Sequence, residues 1–255
     1  MHLPEEGRMP LLDHLRELRK RLFHCLYALV PALIAGFVVA QPAFDFLARP
    51  MNEALKVTGA GTLAVISATE GFMVQMKVAG LMAVLFALPV LAWQAWAFIA
   101  PALYPDEKRT VLPLAVASTV LFLAGVVFCY IAIFQYGFPL FLDMNGEGVQ
   151  AVLSIENYLG MAVTMLLSFG AAFQLPVVIY FLARFGLVDA RDLIRGFRYA
   201  VVAIFVIAAV LTPSPDALSQ CLMAGPLLLL YGLGIGVAAI FSTKSRAEAG
   251  GARTA

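Results

Sequence analysis

Long apolar runs separated by short charged segments dominate the pattern of this chain. Leu22 to Phe44 contains no charged residue, and a membrane-crossing helix needs about 20 apolar residues. That run predicts a first span. Before it, Leu11, Leu15, Leu18 and Leu22 recur at helical spacing, with Asp13, Arg16, Glu17, Lys20 and Arg21 off the stripe. Residues 1–22 therefore read as an amphipathic helix along a membrane surface, leading into the span. Further spans are predicted from about Gly71 to Phe98, Val111 to Tyr136 (with the uncharged run continuing to Leu142), Asn157 to Ala183, Tyr199 to Leu211, and Ala217 to Phe241.

The connections carry their own signals. Phe44, Leu47, Met51 and Leu55 repeat at helical spacing and predict a short interfacial helix in the 45–70 connection. Ser67-Ala-Thr-Glu70 fits a capping box opening the second span, and Ser154 fits an N-cap for the fourth. Gln174 followed by Pro176 predicts a polar, bent middle for the fourth span. Residues 184–198 read as a loop. The fifth span then has only about 13 residues, or about 20 Å at 1.5 Å per residue, against a hydrocarbon core of about 30 Å. Pro226 interrupts the sixth span, and Gly232 with Gly236 offers a small-residue face for close packing. Residues 242–255 read as a disordered tail. The expected organisation is thus an N-terminal helix over 1–22, a transmembrane domain over 23–241 and the tail.

Composition supports the membrane reading. Hydrophobic residues make up 62% of the 255 positions and charged residues only 13%, about half the share of a soluble domain. Lys and Arg number five in the first 22 residues, two in 99–110, four in 184–198 and three in the tail, against Arg49 and Lys56 on the other side. The positive-inside rule then puts both termini in the cytoplasm. Lys77 is the one formal charge inside a predicted span, placed to snorkel or to face protein. Trp93 and Trp96 suit an interfacial aromatic belt, and Gln94 and Gln174 suit hydrogen bonds between helices.

Chemistry of the enzymatic kind is not visible. Cys25, Cys129 and Cys221 have neither disulfide nor metal-site spacing, and the three histidines pair with no cysteine or carboxylate at ligand spacing. No cofactor, metal or nucleic acid is expected. The polar features that stand out are carboxylates at the cytoplasmic edge, Glu17 and Glu107, which suit a partner bearing guanidinium groups. A small-solute secondary transporter using Gln94, Gln174, Thr212 and Gln220 is the rival reading.

HLRELRKRL at 14–22, SATEGF at 67–72, LPVLAWQAWAFIAPALYPDEKR at 88–109, FGAAFQLP at 169–176 and LTPSPDALSQ at 211–220 resemble the TatC family of twin-arginine translocase subunits. The resemblance covers nearly the whole chain in the family's order. It implies an all-α, six-helix, glove-like receptor of the bacterial inner membrane, not an enzyme. Such a receptor binds signal peptides bearing paired arginines and, with TatA and TatB and in company with other TatC copies, exports folded proteins using the proton-motive force. Carried over by motif, Glu17, Arg19 and Glu107 belong to signal-peptide recognition and Glu70 is the far-side acid before the second span. Thr212, Asp216 and Gln220 fall near the docking edge for partner helices. The family usually has a glutamate where this chain has Gln174, which keeps hydrogen bonding but cannot ionise.

Overall fold

The computed structural model describes residues 11–58, 61–103, 111–143, 151–211 and 217–251. Its elements in chain order are α1 (Leu11–Val38), α2 (Ala40–Thr58), β1 (Gly61–Ala64), α3 (Glu70–Leu103), α4 (Val111–Phe128), a π-helical stretch (Cys129–Gly137), α5 (Phe138–Asp143), β2 (Ala151–Ser154), α6 (Ile155–Ala172), α7 (Leu175–Arg184), α8 (Ala190–Leu211) and α9 (Ala217–Gly251). Six helical segments among the described residues are long and apolar enough to cross a membrane. The chain forms two compact units, one of residues 1–44 with 75–120 and one of 45–74 with 121–255.

In the first unit, α1 is one unbroken helix of 28 residues. The expected surface helix and the first span are therefore a single rod of about 42 Å. Nothing between Leu11 and Val30 breaks a helix, and Pro31 is absorbed within it. The span closes at Val38, six residues earlier than its apolar run suggests. α3 passes its expected end at Phe98 and continues to Leu103. Trp96 corrects the belt reading. It is buried and its indole N–H donates to Ser118 Oγ at 2.7 Å, tying α3 to α4. Trp93 is the one with an exposed ring.

In the second unit, α2 carries the interfacial helix predicted from Leu47, Met51 and Leu55, and all three are buried. Pro50 lies inside it and has no N–H, so the carbonyl of Phe46 loses its helical donor. The Tyr130 hydroxyl donates to that carbonyl at 3.2 Å, and its ring stacks on Phe46 at 4.4 Å. The Tyr158 hydroxyl donates to the next carbonyl, Leu47, at 2.8 Å. Tyr130 lies in the π-helical stretch that interrupts the third span. No composition signal announces that stretch.

β1 and β2 pair in parallel, Gly61 opposite Ala151 through Ala64 opposite Ser154. Ser154 then caps α6 as its spacing predicts, accepting the Asn157 N–H at 3.2 Å. The bend predicted at Gln174 and Pro176 is present as a break between α6 and α7. Pro176 cannot donate to the carbonyl four residues back, so the helix opens there.

Three expectations in this unit change. Residues 190–198 are helical, so the fifth span begins on α8 at Ala190 and is a helix of 22 residues, about 33 Å, and not a helix of 13. An Asp189/Asp192 pair explains the early start, because the Asp192 carboxylate accepts the Asp189 N–H at 3.1 Å, half of a capping box. Just upstream, Gly186 adopts φ +67 and closes α7, with the Leu187 N–H reaching the Leu182 carbonyl at 2.9 Å. α9 passes Phe241 and stays helical to Gly251, through a run of Ala, Lys, Arg and Glu that favours helix. Finally, the close approach on α9 is at Gly234, where a Cβ would collide with the Ile179 side chain of α7. Gly232 and Gly236 face open space.

Candidate functional site

The polar end of α1 and the tryptophan-bearing part of α3 enclose a cleft of about 510 Å³ lined by Arg16, Glu17, Lys20, Arg21, His24 and Gln94. Residues 17, 20, 21 and 24 share one face because three- and four-residue steps stay on one side of a helix. Glu17 accepts from Arg21 through Nη2 at 2.7 Å and Nε at 3.1 Å, both bonds falling on Oε1. Each side chain is about a quarter exposed (27% and 25%), so the pair contributes about 0.3–0.5 kcal/mol to the helix, as exposed i,i+4 pairs do. Arg21 also donates from Nη1 to Gln94 Oε1 at 3.0 Å. Gln94 is thus the helix-to-helix hydrogen bonder its position predicts, with an arginine as the partner.

The Glu17 carboxylate keeps Oε2 uncommitted among the described residues. Arg19 points elsewhere. It does not line the cleft, and its guanidinium lies over the Phe23 ring at 5.7 Å. His14 stacks on Phe98 at 4.4 Å, fixing the start of α1 against the end of α3. Glu107 lies outside the described residues, and so do Thr212 and Asp216.

The other candidates fall in the second unit, each on its own element. Glu70 is buried, 5% exposed, at the start of α3. Its Oε2 accepts the Ile66 N–H at 3.1 Å and its Oε1 accepts the Ser154 hydroxyl at 3.2 Å. The capping box therefore closes one residue earlier than its motif predicts, on Ile66, and extends to the cap of α6. Gln174 sits in the α6–α7 break as the residue before α7, half-buried. Gln220 on α9 donates to the Phe205 carbonyl of α8 at 2.8 Å. Beside it, Val201, Val202, Phe205, Val206 and Val210 of α8 line an apolar groove of about 460 Å³. Only 11% of the span-forming part of α8 is buried, against 44% for the α6–α7 span. That face of α8 is open to lipid or to a partner.

Residues missed from the sequence are the cationic walls of the cleft, Arg16, Lys20 and His24, and the serine partner of Glu70. Lys20 and Arg21 lie three and four residues after Glu17, a spacing that suits ion-pair partners and does not announce the walls of a cleft. Nothing local to residue 70 points to residue 154.

Comparison with known proteins places this arrangement. Residues 13–226 match the family described as Sec-independent protein translocase protein (TatC). The chain is 35% identical over 240 residues to the Sec-independent protein translocase protein TatC of Carboxydothermus hydrogenoformans, a match covering 94% of this chain and 97% of that protein. It is 40% identical over 226 residues to the protein of the same description from Campylobacter jejuni, covering 88% and 91%. Its structure is similar to the crystal structure of the twin arginine translocase receptor TatC, with a TM-score of 0.78 and 34% identity over 88% of this chain and 97% of that one.

Proposed function

The chain belongs to the TatC family of Sec-independent protein translocase proteins, and from that premise we propose that its cleft edge receives the arginine pair of a signal peptide. The protein is a multi-pass membrane component of the twin-arginine translocation system. The solute-transporter reading has no support in these relationships. In the proposed mechanism both termini face the cytoplasm of a bacterial inner membrane, where the excess of Lys and Arg belongs. Glu17 and Glu107 supply the acids for two guanidinium groups, which can fork onto carboxylate oxygens. Arg19 contacts the segment flanking the pair. The role is recognition and assembly without catalysis. TatA, TatB and further TatC copies are the partners, with the Gln220 end of the α8 groove, together with Gln174, Thr212 and Asp216, forming the docking edge for partner helices.

The observation that carries the recognition site is the half-engaged carboxylate of Glu17. It is held in place by Arg21 through one oxygen while the other stays uncommitted among the described residues. Photocrosslinking from positions 17 and 107 to a signal peptide tests it, with Arg-Arg compared against Lys-Lys. Lysine keeps the charge and loses the planar fork. Crosslinks that weaken sharply with Lys-Lys support the site. Equal crosslinks reduce it to general attraction at a membrane surface.

A further inference from the structure

We propose that the α1–α3 cleft is also a binding site for the phosphodiester headgroup of an anionic membrane lipid. This does not rest on the signal-peptide reading, although both concern the polar end of α1.

Apart from the Glu17 edge, the charged walls of the cleft are cationic. Arg16, Lys20 and Arg21 face one carboxylate, Glu17, whose Oε1 is already taken by Arg21. Arg16 is paired outside the cleft with Asp13 at 2.9 Å. Lys20 has no side-chain partner among the described residues, so its three donors are open. Gln94 turns its oxygen to Arg21, which can only donate, and so its amide nitrogen is left as a donor without a partner among the described residues. His24 donates from Nδ1 to the Lys20 carbonyl at 2.7 Å, which pins the ring beside the same opening. The cleft therefore offers donors and positive charge. A phosphate group supplies acceptor oxygens and negative charge.

The surroundings decide the source. Beyond His24, on the side of α1 that carries the cleft residues, Tyr27 and Ile34 are exposed apolar positions. From Leu22 to Val38 the helix rises about 25 Å, close to the thickness of a hydrocarbon core. Lys20 and Arg21 then stand at headgroup level with acyl chains below them. Basic pockets between membrane helices take anionic headgroups in this way.

The test is native mass spectrometry of the full-length protein in detergent, where no bilayer surface remains, after exchange with phosphatidylglycerol or phosphatidylcholine. The expected result is retained phosphatidylglycerol in preference to phosphatidylcholine. Lys20→Ala lowers that retention about fivefold, the effect of about one basic residue at an anionic surface. Arg195→Ala, which removes the same charge from an exposed position on α8, leaves it unchanged. Gln94→Leu, which keeps the net charge, lowers it about threefold by removing one donor and the Arg21 anchor. It decides the matter alone if Lys20→Ala is not recovered folded. Equal retention of the two lipids overturns the proposal, as does equal loss in Arg195→Ala. Displacement of phosphatidylglycerol by millimolar inorganic phosphate assigns the cleft to a soluble anion and overturns the lipid source.

Discussion

Two glutamates show how differently this fold uses the same side chain. Glu70 is 5% exposed, with both oxygens engaged, by a backbone N–H four residues back and by a serine 84 residues away. Glu17 is about a quarter exposed and leans on its own helix through one oxygen. The first holds two remote connections together, and its removal leaves donors without acceptors. The second contributes little to stability and keeps an oxygen toward an open cleft. A carboxylate that the fold does not need is the one available to a ligand.

The contrast can be broken in graded steps. The largest loss of stability belongs to Glu70→Ala, which orphans the Ile66 N–H and the Ser154 hydroxyl and costs about 1–3 kcal/mol. Thermal unfolding in detergent reads it. Glu70→Gln, which can still accept one bond, falls between alanine and wild type. Ser154→Ala follows at about 1 kcal/mol, because it removes the cap of α6 along with the bond to Glu70. In the Glu70→Ala background its cost shrinks, since the two share one interaction. Tyr130→Phe comes next at about 0.5 kcal/mol, the low end for a hydrogen bond, because the Phe46 carbonyl it leaves is exposed. Glu17→Ala is the smallest, a few tenths of a kcal/mol. It is also the one expected to lower affinity for an Arg-Arg peptide by about tenfold or more, as loss of a charge-assisted bond does. Peptide binding that survives Glu17→Ala, or unfolding that is indifferent to Glu70→Ala, would erase the distinction.

Much of this is legible in the sequence. Uncharged runs of about 20 residues announce spans regardless of tertiary context, and Pro176 after Gln174 announces a break because proline removes a donor wherever it sits. Ser154 and the α2 stripe were legible for similarly local reasons. The failures share a cause of the opposite kind. Residues 190–198 carry four charges and read as loop, while the short-range Asp189/Asp192 cap that makes them helix is easily overlooked. Trp93 and Trp96 are the same residue type three positions apart, and it is Trp96, facing Ser118 on α4, that is buried. The cleft was half legible. Glu17 to Arg21 follows from spacing, and Gln94 as a helix-bridging group follows from its polarity, but their meeting depends on how α1 lies against α3. The π-helical stretch has no compositional signature at all.

The parallel strand pair has a consequence in time. β1 precedes the long α3 span and β2 follows α4, the π-helical stretch and α5, so the chain must cross the bilayer twice between the two strands. During synthesis β1 has no partner until that helical hairpin has been inserted and its return leg completed. The Glu70–Ser154 bond closes on the same schedule. The pair therefore records that insertion of the hairpin has finished. Until then Glu70 is an acid without its serine, and a nascent chain stalled before Ala151 lacks the contact that secures the corner.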